Sequence, residues 1–333
     1  MKTVWSALFI AIFVIAVCGI ACGGEEKTGQ PAGGGYERPQ RATPEQAKKI
    51  QACISELRTS KLEDWLGPEP GASVVAGDTL LEIGSPAAPF IAQALDAHRT
   101  RFAVRMYLTH IMGQFAVDKK YNSVPFLCRQ LESYATNKKY AKQKEAYDLD
   151  SEASGGGWIV YNVTSWSYLP IRAATELATI ADPKAIPTLS KVMEICRATS
   201  DNRFKMGARP SNSADYCWDV LLASASAIAA IEDDAGQKAI DKYATSNSPS
   251  LRVASNVMKA VKMMKDDGKA AYDFLKEQVE AEKVPKARDE YRRFIKKFLR
   301  SYAAEADLPP DDKDPKDSTK KEDPSKVKDK STP

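Results

Sequence analysis

The fold is decided by the stretch GSPAAPFIAQALDAHRTRFAVRMYLTHIMG, which runs from Gly84 to Gly113. Its first part places Ala88, Ile91 and Leu95 at the spacing of one helix face. Pro89 falls in the first turn of that helix, where a missing backbone N–H leaves no hydrogen bond unmade. A second helical segment follows after a short polar break, so the stretch predicts two helices that form a hairpin.

Two patterns from this stretch recur elsewhere in the chain. The first pattern is an apolar residue followed by Pro and then by apolar residues at helical spacing. It occurs at Ala88–Leu95, Val124–Leu131 and Ile186–Met193. The second pattern is an Arg, an Ala two positions later and an apolar residue three positions after the Ala. It occurs at Arg101/Ala103/Met106, Arg172/Ala174/Leu177 and Arg252/Ala254/Val257. Such repetition is typical of stacked units, each of which buries its apolar face only against its neighbours.

Together the two patterns resemble the HEAT repeat, especially the short bacterial form found in phycobilisome-lyase-like proteins. The resemblance implies an α-solenoid, a stack of helical hairpins whose usual role is to bind other proteins. Period-2 alternation of apolar and polar residues is scarce in this sequence, which also favours an all-α fold.

Reading outward from these anchors predicts five to six hairpins. The expected helix pairs are Thr43 to Arg58 with Ala72 to Ile83, Pro86 to Gln114 as one unit, Asn122 to Ala135 with Leu169 to Ala181, Asp182 to Cys196 with Asp215 to Ile231, Asp234 to Thr245 with Pro249 to Lys265, and Lys269 to Glu282 with Lys286 to Ala303.

The N-terminal segment resembles a bacterial lipoprotein signal. Lys2 is followed by an apolar run, and Gly19-Ile20-Ala21 immediately precedes Cys22. The resemblance implies lipidation of Cys22 with palmitate-type chains, which would hold the protein to a membrane. An uncleaved anchor helix and ordinary secretion remain as alternatives. Gly23 after the cysteine favours the outer over the inner membrane, with the protein facing the periplasm.

Composition divides the rest of the chain into three regions. Residues 22–43 are rich in Gly, Pro and charge and predict a flexible tether, whereas residues 44–303 predict one solenoid domain. Residues 304–333 combine charges of both signs with almost no large apolar side chain, which predicts disorder. The formal net charge of the whole chain is only +4, too small to indicate nucleic-acid binding.

The cysteines of the predicted domain divide into two pairs. Cys196 ends one predicted first helix and Cys217 begins the second helix of the same hairpin, so we expect a disulfide between them. Cys53 and Cys128 lie on first helices two units apart, too far for a bond that needs Cα atoms within about 7 Å. For these two, the sequence favours buried packing as free thiols.

Three long connections interrupt the stack, all of them within hairpins: residues 60–71, 136–168 and 197–215. In a helical solenoid such connections emerge on a single edge, and long loops are uncommon unless they are functional or disordered. The first two carry Trp65, Trp158, Tyr161, Trp166 and Tyr168. Trp and Tyr supply large, rigid contact area, so these five are the candidate partner-binding residues. The alternative is that they fold down as a lid over a groove or over the ends of the stack.

The last predicted helix concentrates positive charge between Lys283 and Arg300. Its apolar residues share one face and its basic residues share the other. Such a helix either lies on an anionic surface or forms the polar outer cap that a terminal repeat requires.

No motif for catalysis stands out in the sequence. His98 and His110 are the only histidines, and the HExxH, GxSxG, CxxC and P-loop patterns are missing. The sequence therefore predicts no enzyme activity, no cofactor and no metal site. It predicts a lipid-anchored scaffold or adaptor that binds an unidentified envelope protein. The alternative is a receptor that binds a small ligand or cell-wall glycan through the same loops.

Overall fold

The computed structural model describes residue 36 and residues 40–59, 72–97, 102–136, 168–207 and 212–302. Within these ranges the chain forms twelve α-helices and four short 3-10 helices, and no strand occurs in them. The all-α prediction is therefore confirmed for the described part of the chain.

The helices are numbered in chain order. They are α1 (Pro44–Thr59), α2 (Ala72–Ile83), α3 (Ala88–Asp96), α4 (Phe102–Val117), α5 (Val124–Thr136), α6 (Tyr168–Ile180), α7 (Ile186–Asp201), α8 (Asn212–Ala230), α9 (Asp234–Ala244), α10 (Pro249–Met264), α11 (Gly268–Ala281) and α12 (Pro285–Phe298). The 3-10 helices are Ser85–Ala87, Pro183–Ala185, Asn202–Phe204 and Arg300–Tyr302.

Each odd-numbered helix packs against the even-numbered helix that follows it, which gives six helical pairs. The second helices of these pairs also contact one another in chain order, from α2 through α4, α6, α8 and α10 to α12. Among the first helices, α1 contacts α3, and α7 contacts both α5 and α9. The core therefore lies within the helical pairs and along the row of second helices, whose successive members are in contact.

The repeated proline pattern marks the buried face of the first helices. Ile91 and Leu95 in α3, Leu127 and Leu131 in α5, and Leu189 and Met193 in α7 are at most 1% exposed. In α3 and α7 the proline occupies the first or second helical position, where its missing N–H was not needed. The pattern thus sets both the start of each helix and the side that it buries.

The fourth pair differs from its prediction. Helix α7 continues to Asp201 and a 3-10 turn carries the chain on to Phe204, while α8 begins at Asn212. The expected connection of residues 197–215 is therefore mostly helical. The reason is burial, because Ser200 and Phe204 are packed in the interior and only 0% and 2% exposed.

Helix α12 closes the row of second helices. Its apolar side chains Tyr291, Phe294 and Ile295 are buried, and the helix packs against α10 and α11. The basic face opposite is exposed or partly exposed, and two of its arginines pair with Asp289 and Glu290. Since the apolar face is already covered, the structure favours the polar cap over a helix that lies in a membrane. No helix in the described ranges is long and apolar enough to cross a bilayer.

Candidate functional site

The ends of neighbouring helical pairs meet along one edge, which we call the connection edge. The Tyr216 hydroxyl at the start of α8 donates to the Tyr134 carbonyl near the end of α5, at 2.9 Å. Asp201 Oδ1 at the end of α7 accepts from the Ser248 hydroxyl at 2.8 Å and from the Ser250 hydroxyl at 2.7 Å, at the start of α10. The third, fourth and fifth pairs therefore present their internal connections on the same side.

The residues expected to bind a partner fall almost entirely outside the described ranges. This applies to Trp65, Trp158, Tyr161 and Trp166, and to the lipidation candidate Cys22. Tyr168 opens helix α6, but its side chain is also outside what the structure describes. The helix ends that lead into and out of residues 137–167 are nevertheless placed, at Thr136 and Tyr168 on the connection edge.

One tryptophan beside this edge is described, and it is packed. Trp218 is 7% exposed and lies edge-on to Phe204, with 5.3 Å between ring centroids. The guanidinium of Arg203 lies 6.0 Å from the Trp218 ring, donates to Asp215, and reaches Glu290 of α12 at 2.8 Å. These contacts join the fourth and sixth pairs, so this tryptophan belongs to the framework of the edge.

The predicted disulfide is not formed in the structure. Cys196 and Cys217 are free thiols, as are Cys53 and Cys128. Cys196 and Cys217 are nevertheless in hydrogen-bonding contact across the α7–α8 interface. The sequence thus identified the two cysteines that the fold brings together, while their covalent bond stays a prediction. Cys128 is buried and Cys53 packs partly buried against the core, as their proposed packing role requires.

A buried carboxylate on the row of second helices was not recognised in the sequence. Glu176 of α6 is 3% exposed, and its Oε1 accepts from Arg172 Nη2 at 2.6 Å. The same oxygen lies 3.0 Å from Nδ1 of His110, on the preceding second helix α4. Gly113 of α4 lies directly against this carboxylate, since a Cβ built there would stand 2.0 Å from Glu176 Oε2. The cluster of Arg172, Glu176 and His110 therefore joins the second and third pairs.

A second arginine of the repeated pattern also links neighbouring hairpins, but through a carboxylate of the following hairpin. Arg252 of α10 binds Glu282 through two nitrogens, at 2.9 and 2.8 Å, and donates to the Ser246 carbonyl at 2.5 Å. Burial alone would raise the pKa of Glu282, but hydrogen bonds from Arg252 and from the Val284 N–H outweigh it and lower the pKa. Glu282 follows α11, so this pair joins the fifth and sixth hairpins.

Asn256 completes the polar contacts around that link. Its amide nitrogen lies 3.1 Å from the Tyr291 hydroxyl and 3.1 Å from Gln278 Oε1. Burial raises the pKa of Tyr291 to about 12, so this phenol stays protonated at physiological pH. The network is therefore a fixed interior support.

A surface groove lies away from the connection edge. Its volume is about 270 Å³, and it lies between the end of α8, the start of α9 and the end of α10. Ile228, Ile231 and Met258 line it, and the rim carries charges of both signs. Lys262 hydrogen-bonds to Gln237 across it, and Lys259 pairs with Asp241 beside it. Two of the rim charges are therefore in ion pairs, Lys259 with Asp241 and Glu232 with Lys265.

The described residues contain no group of three or more His, Cys, Asp or Glu side chains arranged to hold a metal ion. His98 lies outside the described ranges, so its relation to His110 is not part of that finding. No family model, curated protein sequence or solved structure matches the chain.

Proposed function

We propose that this protein is an exported, lipid-anchored scaffold that binds another protein of the bacterial cell envelope. In this proposal the six helical pairs form a HEAT-like α-solenoid, and the partner contacts the connection edge. Residues 1–21 serve as the lipoprotein signal, Cys22 carries the lipid, and residues 22–43 tether the helical domain. The protein acts by binding and not by catalysis.

The observation that carries the proposal is the shared position of the connection ends. Hydrogen bonds between Tyr216 and Tyr134, and between Asp201 and both Ser248 and Ser250, hold three successive pairs side by side on one edge. The long, tryptophan-rich connection of residues 137–167 begins and ends on that edge. Large aromatic side chains displayed from a rigid support are typical of protein interfaces, where Trp and Tyr are enriched among the residues that dominate affinity.

The test is capture from detergent-solubilised envelopes with the full lipidated chain. We expect a partner recovered in stoichiometric amount with the unaltered protein and lost with Trp158→Ala and Trp166→Ala. Val117→Ala is the matched control, because Val117 is an exposed apolar residue at the end of α4, away from the connection edge. Far-ultraviolet circular dichroism must be unchanged in all three variants.

Three outcomes would contradict the proposal. Loss of helical signal in the tryptophan variants would mean that these residues pack as a lid over the helices. Capture that survives both tryptophan substitutions would place the interface elsewhere. A thermal-shift response to purified cell-wall fragments, without any captured protein, would favour the glycan receptor. The mass of the mature N-terminal peptide tests the anchor separately, since lipidation adds acyl chains to Cys22.

A further inference from the structure

Two of the four described cysteines face each other at the interface between helices α7 and α8. Helices α7 and α8 pack together along their length, with Cys196 on α7 and Cys217 on α8. Their side chains hydrogen-bond to each other, and the Thr199 hydroxyl, one turn beyond Cys196, also donates to Cys217. Both sulfurs therefore already lie within the short range over which thiol chemistry between them proceeds.

The two sulfurs differ in access to solvent. Cys196 is 0% exposed, whereas Cys217 is partly exposed in the second turn of α8. A disulfide-containing reagent or enzyme can therefore approach Cys217 and not Cys196. Thiol–disulfide exchange requires that the attacking sulfur reach the oxidant in line with its S–S bond.

The surrounding hydrogen bonds also favour Cys217 as the first cysteine to react. The hydrogen bond that Cys196 donates raises the pKa of its own thiol, and burial raises it further. The hydrogen bonds that Cys217 accepts, from Cys196 first and then from Thr199, lower the pKa of the Cys217 thiol. The thiolate is the attacking species, so the accessible sulfur is also the more easily ionised one.

We propose that Cys196 and Cys217 form a modification site for thiol–disulfide exchange, in which Cys217 reacts first and Cys196 resolves the adduct. The oxidant is a disulfide, either a small one such as oxidised glutathione or the active-site disulfide of an exported oxidoreductase. This inference does not depend on the proposed partner, and the proposed export only supplies the compartment in which such oxidants act.

The reaction proceeds in two balanced steps. The Cys217 thiolate attacks one sulfur of the oxidant, so that a Cys217–oxidant S–S bond forms, the original S–S bond breaks, and the other oxidant sulfur leaves as a thiolate. Cys196 then attacks the Cys217 sulfur, loses its proton to the solvent, and expels the second oxidant sulfur as a thiolate. The two cysteines lose two electrons in total, and the oxidant gains them as a dithiol or as two thiols.

The product would lock the connection edge. The bond would join α7 to α8 next to Tyr216, whose hydroxyl holds α8 against the end of α5. The end of α5, which precedes residues 137–167, and the helix ends on both sides of residues 202–211 would then be supported by a covalent link, close to where the partner is proposed to bind.

The experiment compares Cys196→Ser with Cys217→Ser in the folded, reduced chain lacking only the signal segment. Both are incubated with oxidised glutathione, quenched with acid, and mapped by peptide mass spectrometry. We expect a persistent glutathione adduct on Cys217 in Cys196→Ser. In Cys217→Ser we expect Cys196 to be modified at least about tenfold more slowly, because a buried thiol is inert until the protein opens. Partly buried Cys53 is present in both variants and reports equal exposure to reagent.

The unaltered protein provides a second measurement that does not rely on either variant folding. Brief treatment of the reduced chain with iodoacetamide should label Cys217 before Cys196, and oxidised glutathione should yield a Cys196–Cys217 disulfide with the loss of two hydrogens. Equal rates at the two cysteines would overturn the order of attack. Stable adducts on both cysteines, without a bond between them, would overturn the site itself. Neither result would bear on partner capture, so the two proposals fail independently.

Discussion

Gly113 offers a direct test of how the row of second helices is packed. An alanine Cβ at this position would stand 2.0 Å from Oε2, 2.6 Å from Cδ and 2.9 Å from Cβ of Glu176. Because the overlap reaches the Glu176 Cβ, rotating the carboxylate alone does not relieve it. A new χ1 rotamer of Glu176 would remove the overlaps with Oε2 and Cδ at the cost of its contacts with Arg172 and His110. The overlap with the Glu176 Cβ is relieved only if α4 and α6 also move apart.

The expected magnitude follows from the contacts that would be lost. Glu176 Oε1 accepts hydrogen bonds from Arg172 and His110, and a hydrogen bond to a charged group contributes about 1.5–3 kcal/mol. Replacing a glycine by alanine inside a helix by itself raises the free energy of unfolding by about 0.5–1 kcal/mol. We therefore expect Gly113→Ala to lower the free energy of unfolding by about 2–5 kcal/mol.

The assay is urea unfolding of the chain without its signal segment, followed by circular dichroism. Gly77→Ala is the matched control, since the three atoms nearest to a Cβ there are outer atoms of Tyr107, a partly exposed side chain that can rotate away. We expect a change within about 1 kcal/mol for this control. In a Glu176→Ala background, Gly113→Ala should cost much less than in the unaltered protein. An unchanged or raised stability of Gly113→Ala, or strictly additive effects in the double variant, would refute this packing.

Three further predictions concern the connection edge and the link around Glu282. Glu282→Gln should lower the free energy of unfolding by about 2 kcal/mol at pH 7, because a charge-assisted pair with Arg252 is lost. The folded state lowers the pKa of Glu282, so this carboxylate stabilises the fold above its unfolded pKa, and the stabilisation is lost as pH falls through its folded pKa. Below about pH 4.3, the free energy of unfolding should therefore fall less steeply with pH in Glu282→Gln than in the unaltered protein. Tyr216→Phe removes the hydrogen bond to the Tyr134 carbonyl and should lower the free energy of unfolding by about 1 kcal/mol in the same urea assay. An unchanged free energy of unfolding would mean that this contact does not hold the connection edge. A disulfide between Cys196 and Cys217 should raise the free energy of unfolding by about 3 kcal/mol over the reduced protein, because it closes a loop in the unfolded chain. Equal urea midpoints for the oxidised and reduced proteins would contradict this prediction.

Most helix positions could be predicted because they depend on apolar spacing and on capping residues that lie close together in the sequence. Helices α9, α10 and α11 begin with a side chain at Asp233, Ser248 or Asp267 that accepts from the first backbone N–H groups. Such caps are set by residues within three positions of one another. The sequence therefore contained what was needed to place these helix starts.

The end of α7 could not be predicted for the opposite reason. Arg197 to Asp201 has no apolar period, yet Ser200 is fully buried and Asp201 accepts from Ser248 and Ser250 on α10. The last turn of this helix is thus held by residues almost fifty positions away. Local pattern predicts a loop here, and tertiary contacts override it.

The buried carboxylate was missed in the same way. Glu176 sits four residues after Arg172 and looks like half of a solvated i, i+4 pair. What buries it is the absence of a side chain at Gly113 and the presence of His110, both on α4. No spacing rule connects these positions to Glu176 before the fold is known.

The two arginines of the repeated pattern link neighbouring helical pairs in different ways. Arg252 binds both the Ser246 carbonyl, in the short turn before its own helix, and Glu282 of the following hairpin. Arg172 occupies the same place in the pattern, but residues 137–167 replace the short turn before its helix. In the described residues its partner is Glu176 of its own helix, and Glu176 in turn reaches His110 of the preceding hairpin. Because this link uses only α4 and α6, the connection before Arg172 can vary in length and sequence without removing the contact between neighbouring hairpins.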